Sequence, residues 1–281
     1  MTEKINVGIV GHGFVGNATE KGLKGSANKI LIDPKYGTTI QDLSKMKPSF
    51  IFVCVPTPMK DDKSFDSSII EETSIQIAEE CADAIVIIKS TILPNILEQI
   101  YKINNKIVYN PEFLREKSAE EDFINANFLI FGGEKNYCKE ASNFFLEHSY
   151  CKTSEHIFTD LKTASLVKYT INSFLASKVL FFNQIYDVYK ALGTDESWEK
   201  FIDTVSRDSR IGSSHMSVPG HDQRRGFGGA CFPKDTAALL QFSKLLGADL
   251  SILEKTIEEN NTIRSQYLDL DEREKEQNVT F

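Results

Sequence analysis

The sequence of 281 residues predicts an α/β protein, with an N-terminal parallel-sheet domain followed by an all-helical domain containing one long helix. Three observations predict this. Short apolar runs alternate with helix-like stretches through the first half, the pattern of parallel strands joined by crossover helices. A glycine-rich turn directly links the first apolar run to the first helix. From Asp160 to Leu192 the chain has neither Pro nor Gly, and Leu166, Tyr169, Phe174 and Leu180 recur at helical spacing.

In order, Ile5 to Val10 reads as a strand, Phe14 to Leu23 as a helix, and Lys29 to Ile32 and Ser49 to Val55 as strands. A helix from about Ser67 to Ala82 precedes strands at Ala84 to Ile88 and Lys106 to Tyr109. Phe128 to Phe131, closed by Gly132 and Gly133, is the sixth strand. The run Ile51-Phe52-Val53-Cys54-Val55 suits a strand covered on both faces. Gly193 closes the long helix, and a second follows over roughly Glu196 to Ser206. A polar loop, Asp208 to Gly229, leads to helices at about Asp235 to Leu246 and Leu250 to Leu268. The almost fully charged stretch Asp269 to Gln277 reads as a frayed helix end or disordered tail. The expected divisions are 1–155, 156–268 and a charged tail, 269–281.

A content of 41% hydrophobic and 26% charged residues excludes a disordered chain, a collagen-like chain and a small disulfide scaffold. Thirty-two basic against 40 acidic residues leave a net charge of −8, which argues against broad binding to nucleic acid or anionic membrane. No apolar run approaches the roughly 20 residues of a membrane span. With no signal-peptide pattern, the expectation is a cytoplasmic protein. Cys54, Cys81, Cys138, Cys151 and Cys231 are scattered, odd in number and without a CxxC pair, so thiols are expected and a metal site is not.

The turn is Gly11-His12-Gly13-Phe14-Val15-Gly16. Between a strand and a helix, its first glycine permits the tight turn, and the second lets backbone approach a pyrophosphate. The third allows close helix–strand packing, and the helix start offers N–H groups and positive dipole to the phosphates. Asp33 ends the second strand, 22 residues after Gly11, where a carboxylate accepts hydrogen bonds from a ribose diol and repels a 2′-phosphate. The domain therefore reads as Rossmann-like, with NAD as cofactor. A glycine-rich turn of an unrelated α/β protein is the plain alternative.

Gly226-Phe227-Gly228-Gly229-Ala230-Cys231-Phe232-Pro233-Lys234-Asp235 is the most informative stretch. Its three glycines let backbone or a ligand come close to the sulfur, while Lys234 and a helix start favour the thiolate. Asp235, at the helix start, could cap it or orient water or a base. A buried structural cysteine before a helix fits the same residues. Beside a nicotinamide, a thiolate attacks an aldehyde to give a thiohemiacetal; a second hydride loss gives a thioester, which water hydrolyses to an acid. Such a site needs a cation for the oxyanion and polar groups to position water. Lys168 and Asn172, four apart on one helix face, meet that need, or are an ordinary surface lysine and helix polar residue.

The sequence resembles the UDP-glucose/GDP-mannose dehydrogenase family, most closely its UDP-glucose type, from Ile5 to about Arg264. The resemblance rests on motifs in order: Gly11 to Gly16, Val55-Pro56-Thr57-Pro58, Lys89-Ser90-Thr91, Asn110-Pro111-Glu112-Phe113-Leu114-Arg115-Glu116, Lys168-Tyr169 with Asn172, and Gly226 to Asp235. It implies oxidation of a nucleotide sugar by two NAD⁺ and water to the uronate. Cys231 would be the nucleophile, and Lys168 would stabilise the oxyanion and bind sugar. Asn172 and Asp235 would position the alcohol or a water acting as base, Glu116 would aid thioester hydrolysis, and Thr91 would lie near the nicotinamide. Thr57, Lys234 and Lys35 match further cofactor contacts. Phe113 to Glu116, the loop Gly220-His221-Asp222-Gln223-Arg224 and Gly228 match the sugar-nucleotide cradle. For some of these a plainer reading stands: Pro56-Thr57-Pro58 as a strand-ending turn, Glu112 as a structural acid, Thr91 as a helix N-cap.

The chain departs from the family at Ser165, commonly Glu, and at Lys117, often Gly. The family also continues into a third α/β domain, for which no room is expected before Phe281. The apolar surface of the long helix predicts a homodimer through it, as in the family. Two other readings remain: a non-catalytic NAD- or sugar-nucleotide-binding subunit, and a hydroxyacid dehydrogenase making a single hydride transfer, which needs no cysteine at 231.

Overall fold

The computed structural model describes residues 4–115, 117–267 and 269–281. These divide into two compact units: residues up to Thr57 with Asp66–Lys168, and Pro58–Phe65 with Tyr169–Phe281.

The first unit is built on a seven-stranded sheet with helices: β1 (Ile5–Val10), α1 (Phe14–Gly22), β2 (Ala27–Ile32), α2 (Ile40–Ser44), β3 (Phe50–Val53), α3 (Ser68–Glu80), β4 (Ile85–Ile88), α4 (Pro94–Ile103), β5 (Ile107–Tyr109), α5 (Ala119–Ile124), β6 (Leu129–Gly133), α6 (Lys135–His148) and β7 (His156–Thr159). The strand order is β2-β1-β3-β4-β5-β6-β7. Every residue of β3 and β4 is buried, as a sheet covered on both faces requires. Phe52, Phe131, Phe144 and Phe145 meet in its core with Val7, Ile9 and Ile87. The chain runs outward from β1 to β2 and then returns to β3, so a crevice opens beyond the ends of β1 and β3, where such sheets bind ligands.

Two features correct the expected sheet. β6 pairs antiparallel with β5, so β6 and β7 run against the other five strands. β7 is a seventh strand; it lies at the sheet edge, where Ile157 and Phe158 stay exposed, so its residues lack the pattern of a buried strand.

α7 (Leu161–Leu192) is the expected long helix, and the boundary between units falls within it. The second unit continues with α8 (Trp198–Ser206), α9 (Phe232–Leu245), α10 (Ser251–Arg264) and α11 (Glu272–Glu276). Phe182, Trp198, Met216 and Val218 form one of its cores. α10 ends at Arg264, short of Leu268, which lies outside the described residues. The charged stretch after it is neither frayed nor loose. Asp271 and Glu274 make a capping box at the start of α11, Glu274 is fully buried, and Val279 is buried beyond it. Among the described residues, no helix is long and apolar enough to cross a membrane.

Candidate functional site

In the first unit, the three turn glycines have distinct surroundings. A Cβ on Gly11 would lie 2.7 Å from the Cys54 carbonyl oxygen at the exit of β3, and Gly11 adopts φ +84°. A Cβ on Gly16 would lie 2.0 Å from the Gly11 oxygen, whereas one on Gly13 meets nothing within 4 Å. The outer glycines thus permit close packing, and Gly13 leaves backbone open at the start of α1. That helix has no side-chain cap, which suits a phosphate. A cleft of about 900 Å³ lies beside it, lined by His12, Gly13, Phe14, Asn17, Lys117 and Lys152 among others. Asp33 accepts from the His12 N–H at 2.6 Å and from the Lys35 N–H at 3.0 Å, and the Lys35 ammonium bonds the His12 carbonyl. His12, unremarked in the sequence, also meets Tyr36 at 2.9 Å and Glu20 at 2.8 Å. These residues fit a dinucleotide: an open backbone at a helix start, an acid beside it and room for the ligand.

The Thr57 hydroxyl donates to the Thr91 carbonyl at 3.1 Å, and the Ser90 hydroxyl to the Val55 carbonyl at 2.7 Å, joining two of the sequence motifs. Thr91 is not a helix cap: α4 starts with Leu93 as N-cap and Pro94 at its first turn. Lys89 is 3% exposed, and its ammonium donates to the Asn110 side-chain oxygen at 2.8 Å and backbone oxygen at 3.1 Å. Burial lowers its pKa to about 8. Burial likewise pushes the Cys54 thiol up to about 12, leaving it unreactive.

Lys168 is 3% exposed and so no surface lysine. Its ammonium donates to the Glu112 backbone oxygen, stands 3.4 Å from the Glu112 carboxylate and lies over the Phe113 ring at 5.1 Å. Glu112, which from sequence has the plain reading of a structural acid, is thus the partner of the candidate oxyanion cation. The Leu114 N–H holds its other oxygen at 2.6 Å. Arg115 is turned to Asp122 at 2.6 Å, and Glu116 lies outside the described residues. Ser165 donates to the Ile92 carbonyl at 2.6 Å, binding α7 beside Thr91.

In the second unit, Cys231 is the half-buried N-cap residue of α9. Asp235, 1% exposed, accepts from the Asn172 amide at 2.6 Å and from the Lys234 ammonium at 2.7 Å. Its buried carboxylate faces these two partners, which brings three sequence-expected residues together one helical turn from the thiol. The glycines before Cys231 make room for protein side chains. A Cβ on Gly226 would lie 2.6 Å from Asn260, and one on Gly228 would lie 2.2 Å from Arg264. In the Gly220–Arg224 loop, Asp222 pairs with Arg264 at 2.6 Å and Arg224 with Asp269 at 2.8 Å. Sequence reading missed Asn260, Arg264 and Glu274; each polar residue lies in a helix among other polar residues, with no local pattern to separate it from a solvated face.

Two domains of the UDP-glucose/GDP-mannose dehydrogenase family match the sequence, the NAD binding domain over residues 17–149 and the central domain over 162–262. The chain belongs to this family, and its first unit carries the family's NAD binding domain. The UDP-glucose 6-dehydrogenase TuaD of Bacillus subtilis is 32% identical over 261 residues, covering 89% of this chain and 54% of that protein. The chain spans about half the length of the curated relatives it matches. In fold it is similar to a UDP-glucose dehydrogenase from Pyrobaculum islandicum, with TM-score 0.78, 23% identity, and coverage of 92% of this chain and 68% of that one. A Mycobacterium tuberculosis 3-hydroxyisobutyrate dehydrogenase shares the fold at TM-score 0.71 and 15% identity, over 95% of this chain and 96% of that one. Fold alone therefore does not separate the two chemistries.

Proposed function

We propose that the chain oxidises the C6 hydroxyl of a nucleotide sugar to the carboxylate, with UDP-glucose the preferred substrate. UDP-glucose, two NAD⁺ and water give UDP-glucuronate, two NADH and three protons. The supporting observation is the Asn172–Asp235–Lys234 cluster, built on a buried carboxylate one turn into the helix that Cys231 begins. A single hydride transfer has no use for that thiol.

Residues 1–155 are assigned to NAD and 156–268 to the cysteine loop and dimer helix. Bound NAD⁺ supplies the acceptor for the hydride lost in each oxidation. Gly11, Gly13, Phe14, Val15 and Gly16 cradle its phosphates and Asp33 its ribose, with Lys35, Thr57, Thr91 and Lys234 as further contacts. Asn172 and Asp235 orient the alcohol, or hold the water that takes its proton. The Cys231 thiolate then adds to the aldehyde carbon, and Lys168 stabilises the resulting oxyanion. After the second oxidation the thioester carbonyl is attacked by water, aided by Glu116, and the carboxylate leaves as the thiolate re-forms. Phe113, Leu114, Arg115, Gly220, His221, Gln223 and Gly228 are assigned to the sugar nucleotide. Asp222 and Arg224 contribute backbone, since their charged ends pair with Arg264 and Asp269.

The partner is a second copy of the chain. Phe174, Phe181 and Val188 on α7 recur every seven residues and are 66%, 56% and 65% exposed, an apolar stripe that a matching helix would cover. NADH formation with UDP-glucose, compared with GDP-mannose and with Cys231→Ser, tests the enzyme. Activity with UDP-glucose that the variant loses is expected. Binding of NAD⁺ without turnover on either sugar would instead indicate a non-catalytic subunit.

A further inference from the structure

The loop before Cys231 is held by side chains from three helices. The Gly226 N–H donates to Asn183 on α7 at 3.0 Å, and the Phe227 N–H to Asn260 on α10 at 2.7 Å. The Gly229 N–H, two residues before Cys231, donates to Glu274 on α11 at 2.9 Å. The same carboxylate oxygen takes the Arg264 guanidinium at 2.9 Å, and the other end of that guanidinium takes Asp222 at 2.6 Å. Glu274 and Arg264 are 0% and 1% exposed.

Burying such a pair is costly, and apolar residues of similar volume serve stability as well or better. Its presence calls for something apolar residues cannot do, and accepting the Gly229 N–H is that. The glycine at 228 fits the same purpose, since a Cβ there would lie 2.2 Å from Arg264 and 2.6 Å from Glu274. The segment carrying Glu274 has further anchors on both sides of it. Arg224 grips Asp269, the Met59 N–H donates to the Gln277 carbonyl at 3.0 Å, and the Phe281 ring lies 5.1 Å from the Arg264 guanidinium.

We propose that Glu274 is a positioning residue for the Cys231 thiol, fixing through Gly229 and Arg264 the backbone that enters α9. The segment 269–281 then acts as a strap that holds the cysteine loop in place. The catalytic consequence rests on the proposed role of Cys231; the positioning itself does not.

The test uses the full chain with Glu274→Ala and Glu274→Gln, the latter keeping an oxygen for Gly229. Iodoacetamide labelling of Cys231 at one fixed pH, followed by peptide mass spectrometry, reports access to the sulfur. Labelling at least threefold faster in Glu274→Ala, and within twofold of the parent in Glu274→Gln, is expected. Where the wild type turns over, kcat of Glu274→Ala falls at least tenfold with the KM for NAD⁺ within twofold. A folded Glu274→Ala labelled at the parent rate overturns the proposal. Should that variant not fold, R264M/E274M removes both charges together and is expected to label as fast as Glu274→Ala was to. Amide exchange of the unaltered protein decides in every case. Peptides spanning 226–231 and 271–279 are expected to open together; protection of the first while the second exchanges freely overturns the strap. None of the labelling or exchange arms reads NADH, so the strap and the dehydrogenase reading fail separately.

Discussion

A methyl group at Gly16 would sit 2.0 Å from the Gly11 carbonyl oxygen, against backbone that cannot swing aside. Gly16→Ala is therefore expected to cost about 1–3 kcal/mol in a urea melt and to abolish NAD⁺ binding by calorimetry; unchanged affinity would contradict the packing role. Asp33→Ala removes the proposed ribose acceptor and is expected to weaken NAD⁺ at least tenfold while NADP⁺ gains relative to it. Lys89 gives a pH prediction. Its pKa is about 8 in the folded protein against 10.5 when exposed, so between those values the unfolded chain binds more protons. Stability relative to Lys89→Met should then rise from pH 8 to 10.5, by roughly 3 kcal/mol, and stay level below pH 8. Parallel urea-melt curves for the two proteins would contradict it. At this scale the sequence was legible where local geometry is tied to spacing, as in the glycine turn Gly11–Gly16 that leads into α1. It named Glu112 only as a structural acid and was silent at Glu274, because their partners lie 56 and 10 residues away.

α7 was readable almost to its ends because nothing in it interrupts a helix, and Gly193 takes the left-handed turn that closes it. β7 was not, because an edge strand with exposed Ile157 and Phe158 carries no buried-strand pattern. The reversal of β6 was unreadable for a different reason: strand direction is set by the connection, not by the residues in the strand. α11 misled because charge was read as solvation, while its one buried acid meets a buried base. The exposed stripe of α7 supplies the prediction for this scale. Phe181→Glu is expected to convert a dimer to a monomer by light scattering at micromolar concentration, with the helix content unchanged. A parent protein already monomeric there would remove the proposed interface.

Two units carry the motif residues, the glycine turn and Lys168 in one, Asn172 and the cysteine loop in the other. The fold they build serves hydroxyacid and sugar-nucleotide dehydrogenases alike, so the proposed chemistry stands on Cys231 and its buried neighbours rather than on architecture. The number of hydrides removed distinguishes the two most directly. The purified chain, given limiting UDP-glucose and excess NAD⁺, should form two NADH for each sugar consumed, with UDP-glucuronate as product and none formed by Cys231→Ser. One NADH per sugar, or a yield indifferent to loss of the thiol, would contradict the four-electron reaction.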